Sequence, residues 1–269
     1  MDQAPGLAPR TEQTGAGRNA GTGENATDGG RRVSVSFGRT AAFANSAAAE
    51  ESCQPTILAN RLGLRHRRRW LLRSVTFSAG ARAGALGIAG DCGAGKTALL
   101  MLLAGLAVPA RGELRVLGED MRTYRGRTKI RRRVGLVPPP GRPSGFTVRG
   151  LVTHAAWLSQ LPASHRRARV AGALDRLNLS GWAGALMSAV PEDVARRAWL
   201  AACTVHEPDL LLVDGMLDGI TDQDALALAR CLGTLTVAMA VLIAGRDAER
   251  LALCCGPVLR LTDGIAGNG

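Results

Sequence analysis

The clearest chemistry in this chain lies in eight residues, Gly90-Asp-Cys-Gly-Ala-Gly-Lys-Thr97, which fill every position of G-x-x-x-x-G-K-[ST]. In that pattern glycines let the backbone turn tightly, so that N–H groups of the turn and of the helix after it converge on phosphate oxygens. Gly90, Gly93, Ala94 and Gly95 would form the cradle, Lys96 would reach the outer phosphates, and the Thr97 hydroxyl would ligate Mg²⁺. A site of this kind needs a second acid at the end of a buried strand, and Leu210-Leu-Leu-Val-Asp214 offers Asp214 after four apolar residues. The bland alternative is a glycine-rich turn in front of an ordinary core helix.

The loop needs a strand leading in and a helix leading out. Residues 84–89 are a short apolar run suited to a buried strand, and 96–107 are apolar enough and free enough of proline for a helix. Strands are expected at 57–64 and 71–77 around the basic turn Arg65-His-Arg-Arg-Arg69, then at 112–117, and at 134–137 before Pro138-Pro139-Pro140. A helical region follows from 148 to about 205, with patterns at 151–161, 163–177 and 194–205. After the strand ending at Asp214 come a helix over 222–232, an apolar strand over 236–244, a short helix over 247–254, and a hairpin turning at Asp263-Gly264. Apolar strands alternating with helices give an α/β class.

A chain of 269 residues with 46% hydrophobic content can bury one sizeable core and leave residues over. Residues 1–54, rich in Gly, Ala, Thr, Asn and Asp, read as a disordered or weakly ordered extension, although the alternation at 33–37 could add a strand. Residues 55–265 read as the folded domain, with its helical subdomain at about 147–205. The net charge is +12, and only Lys96 and Lys129 among the basic residues are lysines. Basic clusters stand at 65–69, 127–133 and 165–169, but 3% aromatic content supplies no stacking platform for single-stranded nucleic acid. That disfavours nucleic acid against an anionic membrane surface or plain solvation. Cys53, Cys92, Cys203, Cys231, Cys254 and Cys255 include no CxxC and the four histidines are scattered, which argues against a disulfide framework or a zinc site and for a reducing compartment. The longest apolar run, 98–110, contains Gly105 and Pro109 and is too short to span a membrane, and residues near the N-terminus lack an apolar signal core. A cytoplasmic location is expected.

The phosphate loop, the helical segment and Asp214, in that order, resemble the ATP-binding subunit of an ABC transporter over residues 57–264. GAGKTALLMLLAGLAVPARGELRVLGED is similar to the family's loop, first helix and following strand. Gly135-Leu-Val-Pro138 resembles the strand before the Q-loop, Phe146-Thr-Val-Arg149 the start of the helical subdomain, and His206-Glu-Pro-Asp-Leu-Leu-Leu-Val-Asp214 the approach to the Walker B aspartate. The resemblance implies an ABC-type P-loop NTPase core with an antiparallel β subdomain and an inserted helical subdomain. It also implies ATP and Mg²⁺ as cofactors, a second nucleotide-binding domain facing the first, as homo- or heterodimer, and a membrane-spanning permease subunit. That partner would hold the chain peripherally at the inner face of the cell membrane. The flavour is that of bacterial drug or polysaccharide exporters. His66 falls where the family stacks an aromatic ring on adenine.

Several of the family's polar positions are replaced. Pro139 stands at the Q-loop glutamine, Val190-Pro-Glu-Asp-Val194 at the LSGGQ signature, Gly215 at the glutamate that polarises the attacking water, Thr221 at the D-loop aspartate and Arg246 at the switch histidine. Pro191 has no N–H to offer a phosphate. Glu192 and Asp193 would each cost about 3 kcal/mol at about 5 Å from a phosphate charge, with an effective dielectric near 20. The same three residues also suit an ordinary first helical turn. Losing a positioned general base removes about 10² to 10⁴ in rate. The expectation is therefore a degenerate exporter subunit that binds MgATP and gates dimerisation, with weak or absent hydrolysis.

Two alternatives stay open. One is an active transport ATPase using non-standard groups such as Asp218 or Asp247, although Asp218, four residues past Asp214, falls beyond the strand end. The other is a nucleotide-independent scaffold whose basic surface binds membrane or RNA. Cys92 could make nucleotide binding redox-sensitive, but no resolving thiol is near it in sequence. Trp157, Trp182 and Trp199 read as packing residues of the helical subdomain.

Overall fold

The computed structural model describes residues 33–35, 56–80 and 84–268, so nearly all of the expected extension over 1–54 lies outside the described residues. The alternation at 33–37 does yield a short strand, β1 (Val33–Val35). A hairpin follows, β2 (Ile57–His66) and β3 (Arg69–Ala79), turning through the basic run with Arg67 at φ 53°. β4 (Gly84–Ala89) leads through the phosphate loop into α1 (Lys96–Leu103). Next come β5 (Arg111–Val116), β6 (Glu119–Asp120), α2 (Tyr124–Ile130) and β7 (Val134–Val137). The helical subdomain holds α3 (Val148–Leu158), α4 (Ala163–Arg176) and α5 (Glu192–Thr204). β8 (Leu210–Asp214), α6 (Asp222–Leu235), β9 (Ala240–Gly245) and α7 (Ala248–Ala252) return the chain to the sheet, which β10 (Val258–Thr262) and β11 (Ile265–Asn268) complete.

The strands join in the order β6-β5-β2-β3-β11-β10-β4-β9-β8-β7, with β1 parallel to β3 outside that path. Strands β10, β4, β9, β8 and β7 are mutually parallel, whereas β6, β5, β2 and β3 form an antiparallel wing. The two parts meet through the β10–β11 hairpin, whose Ile265 pairs with Ser74 of β3. The parallel strands are covered on both faces, as their nearly continuous apolar sequences require. In β8, Leu211 and Val213 enter the cluster on the helical-subdomain side, while Leu210 and Leu212 pack with Leu99, Leu102 and Leu103 of α1. The two-residue repeat of a strand therefore sends Asp214 towards α1. That alternation puts the acid and the loop helix on one side of the sheet.

Several elements depart from expectation, three of them for a local physical reason. α1 ends at Leu103 instead of running to 107, because the chain turns through Gly105 at φ 70°, where a Cβ would lie 3.1 Å from Arg127 O. α6 continues to Leu235 and β9 starts only at Ala240, since Thr236 N–H still bonds Leu232 O. α2 was not expected from the sequence, where its residues read only as part of a basic cluster. Thr123 caps it by accepting Gly126 N–H at 3.0 Å, and its single apolar residue in the last turn, Ile130, is buried. Trp157 and Trp182, expected as packing residues, are 61% and 40% exposed. Trp157 is covered from outside by the Arg166 guanidinium, 3.6 Å from the ring centroid. Trp199 is partly buried against the core and donates Nε1–H to Gly141 O at 2.8 Å.

Candidate functional site

The loop sits at the C-terminal ends of the parallel strands, where open α/β sheets bind their ligands. Gly93 and Gly95 both lie in the left-handed region, at φ 83° and 101°. Gly95 is also a close approach, since a Cβ there would stand 2.6 Å from Leu71 O. Gly90 packs against the last hairpin, where a Cβ would meet Leu261 O at 2.4 Å. Beside Gly93 a Cβ would meet nothing within 4 Å, so the outer side of the loop is open. Ala94 is buried beneath it, and its carbonyl accepts Gly264 N–H at 3.2 Å.

Lys96 Nζ donates to Gly90 O at 2.5 Å and to Asp91 O at 2.9 Å, which holds the ammonium over the loop. The first internal bond at the start of α1 runs from Leu99 N–H to Gly95 O, and no side chain caps the helix. Among the described residues, the N–H groups of Gly95, Lys96, Thr97 and Ala98 therefore have no protein acceptor, and they carry the positive end of the helix dipole. Thr97 Oγ1 donates to Asp214 Oδ2 at 2.6 Å, across 117 residues of sequence. Asp214 is 5% exposed at the end of β8 while Thr97 is open to solvent, so the pair is a carboxylate and a hydroxyl at the mouth of the site. This donor set fits a Mg²⁺-bound polyphosphate: unpaired N–H groups, an ammonium, two hard oxygen ligands and open space beside Gly93.

The remaining site residues are less concentrated. His66 is exposed at the tip of the β2–β3 hairpin, opposite Arg69, and that hairpin reaches the loop through the Leu71 carbonyl under Gly95. Cys92 is a free, exposed thiol at the loop surface. Pro139 is exposed beyond the end of β7. Pro191 stands at the N-cap of α5 with Glu192 and Asp193 in its first turn, as an ordinary helix start would have them. Both acids are paired: Glu192 with Arg196 and Arg142 at 3.0 Å each, Asp193 with Arg197 at 2.6 Å. Burial pushes the Glu192 carboxyl up, but the hydrogen bonds from Arg196 and Arg142 outweigh it and leave it below the usual range. The penalty expected from these two charges is therefore reduced by their arginines.

The fold places the two alternative carboxylates differently. Asp247 caps α7, its Oδ1 accepting Glu249 N–H at 2.9 Å, and is committed to that helix. Asp218, judged to lie beyond the strand end, is folded back: its Oδ2 lies 3.6 Å from where a Cβ on Gly215 would stand. Gly215-Met-Leu-Asp218 contains the signal for this return, a glycine opening a four-residue turn directly after a strand.

A family model described as ABC transporter matches residues 72–217. The methionine import ATP-binding protein MetN 2 of Burkholderia mallei is 31% identical over 199 residues, covering 72% of this chain and 50% of that protein. The Nod factor export ATP-binding protein I of Paraburkholderia xenovorans is 35% identical over 138 residues, covering 51% of this chain and 45% of that protein. The chain thus spans about half the length of these curated relatives. Among solved structures, cbiO1 from Clostridium perfringens, part of the ABC transporter complex cbiONQ, superimposes with a TM-score of 0.71 at 21% identity, covering 80% of this chain and 88% of that one. A dimeric ATP-binding cassette bound to ADP and Pi superimposes with a TM-score of 0.65 at 16% identity, covering 79% of this chain and 98% of that one. At such identities the structures establish the fold.

Proposed function

Because the chain belongs to the ABC transporter family of ATP-binding subunits, we propose that it binds MgATP at Gly90–Thr97 with Asp214 and uses that binding to control pairing with a second nucleotide-binding domain. The observation that carries this reading is the 2.6 Å bond between Thr97 Oγ1 and Asp214 Oδ2, which brings both hard oxygen ligands beside the loop. The loop N–H groups and Lys96 would hold the phosphates, Thr97 and Asp214 would hold Mg²⁺, and the metal would neutralise phosphate charge. His66 is the candidate for weak stacking on the base.

The replaced positions support weak hydrolysis. Gly215 carries no carboxylate, Pro139 and Arg246 replace the glutamine and histidine, and Pro191 removes an N–H from the start of α5. Binding relies on the loop, which retains its residues. A permease contact fits the groove of about 630 Å³ between the helical subdomain and β7, lined in part by Leu136, Phe146, His154, Leu158 and Trp199. Through that contact the chain would lie at the inner face of the membrane, and no helix among the described residues is long and apolar enough to cross one. Export is the direction we favour, on the 35% identity to the Nod factor export protein. Import is the second reading, carried by the longer match to the methionine import protein.

Equilibrium binding of MgATP to the purified chain tests the central point. Lys96→Ala removes a charged donor and should weaken binding about 10- to 100-fold, the equivalent of about 1.5–3 kcal/mol. Undetectable ATP binding by the wild type would overturn the reading. Rapid hydrolysis abolished by Lys96→Ala would overturn the degenerate part of it.

A further inference from the structure

The turn after Asp214 holds a carboxylate that nucleotide binding leaves without a task. Gly215 is left-handed at φ 62°, its N–H donates to Ala244 O at 2.9 Å, and Asp218 N–H closes back on Gly215 O at 3.1 Å. This return places the Asp218 carboxylate over the ends of β8 and β9. Its Oδ1 accepts Arg246 N–H at 3.0 Å and lies 3.3 Å from where a Cβ on Gly245 would be. Its Oδ2 faces Gly215, with the Arg246 Nε at 3.9 Å. One oxygen is therefore anchored by backbone and the other is left to accept a further hydrogen bond.

The backbone beneath is clamped by two arginines. Arg196, 5% exposed, donates through Nη1 to Met216 O and, at 3.0 Å, to Asp218 O. Arg250 Nη1 donates to Leu217 O at 3.2 Å and to Ile220 O at 2.8 Å. The carboxylate is tied to the phosphate loop as well. Gly90 N–H donates to Gly245 O at 3.2 Å, so Arg246, which anchors Asp218, directly follows the residue that holds the first glycine of the loop. On the other side Gly215 follows Asp214, which Thr97 contacts. Asp218 thus packs between Gly215, which follows Asp214, and Gly245, whose carbonyl holds Gly90 of the loop.

We infer that Asp218 is the carboxylate that orients the attacking water, and takes its proton, in the slow ATP hydrolysis of this chain. The inference rests on MgATP binding at the same loop. Transfer of the terminal phosphoryl group to water needs a nucleophile held in line and a proton acceptor within hydrogen-bond reach. In the step, the water oxygen bonds to the γ-phosphorus. The bond from that phosphorus to the bridging oxygen breaks, with its electron pair leaving on ADP. The proton of the water passes to Asp218 and from there to solvent, so that ATP and water become ADP and phosphate. Distance along the chain argues against Asp218 because four residues would carry it past the strand. The left-handed turn at Gly215 reverses that travel.

The test uses the full chain, with enzyme in excess over ATP in a single turnover, alongside equilibrium ATP binding and identification of the nucleotide retained after rapid gel filtration. Asp218→Asn keeps an Oδ1 acceptor for Arg246 N–H, which favours retention of the fold, and unchanged thermal unfolding checks this. Wild type should hydrolyse ATP above the Lys96→Ala background, and Asp218→Asn should fall by about 10² or more, to that background. Asp218→Asn should still bind ATP within about threefold of wild type and retain it as ATP instead of ADP. Asp218→Glu should recover part of the rate, which a purely structural role would not predict. Wild-type hydrolysis that Asp218→Asn leaves unchanged while binding persists would overturn the inference. So would the absence of wild-type turnover above background. Failure of the wild type to bind ATP would instead sink the reading of the loop.

Discussion

Arg196→Leu should destabilise the chain by about 3–5 kcal/mol, mostly the cost of leaving two backbone carbonyls without their charged donor. Arg196 is 5% exposed, and its donors go to Met216 O, Asp218 O and Glu192 Oε1. Leucine replaces much of the apolar stem but leaves both carbonyls without this donor, at about 1–3 kcal/mol each. The loss of the Glu192 contact adds at most about 1 kcal/mol, because that carboxylate is half-exposed and keeps Arg142 as a partner. For a domain of this size each kcal/mol shifts the melting midpoint by about 2–4 °C, so a drop of about 6–20 °C is expected. Urea unfolding followed by circular dichroism reads the free energy. Arg196→Lys should fall between, since a single ammonium cannot reproduce the fork that serves two carbonyls and a carboxylate. Arg142→Ala, an exposed pair, should stay within about 1 kcal/mol of wild type. If Arg196→Leu also stays within about 1 kcal/mol, the segment under Asp218 is not held by this arginine, and the account of a rigid turn fails.

Three further outcomes follow from the same geometry. Gly95→Ala meets both a left-handed backbone and the Leu71 carbonyl at 2.6 Å, so it should lose stability by about 2 kcal/mol or more and with it ATP binding, read by calorimetry. At about pH 8, N-ethylmaleimide should label exposed Cys92 and spare Cys203, whose thiol burial pushes up to about 12. MgATP should slow the Cys92 reaction, and peptide mapping reads both. Burial holds His206 below its ordinary 6.5, outweighing the opposing pull of the Val134 backbone. The folded chain therefore binds fewer protons than the unfolded one as pH falls below 6.5, so stability present above that pH should decline into the acid range. His206→Gln should flatten the decline in urea midpoints, and an unchanged slope would assign it to other groups.

Most of the strand pattern was legible because buried strands write continuous apolar runs, as in 210–213, and because the glycine-rich loop admits few other residues. α2 was not legible, since a seven-residue helix with three basic side chains and one buried isoleucine has no periodicity to read. Its Thr123 cap, its contact with β6 and the burial of Ile130 in the core cluster that holds α1 decide it. The exposure of Trp157 and Trp182 was not legible for a similar reason: size and apolarity say that a ring seeks cover, not whether that cover is core or, as at Trp157, an arginine laid over it.

The sequence by itself determined the loop, its lysine and threonine, the acid at the end of β8 and the family, because each depends on residue types at fixed local spacing. Only the tertiary structure decided that Thr97 and Asp214 touch, that Glu192 and Asp193 are paired by arginines, and that Asp218 folds back onto Gly215 and Gly245. Those relations depend on strand order and on the direction in which a turn sends the chain. Gly215 shows the difference: in the sequence it is an absent carboxylate, and in the fold its positive φ is what brings one back.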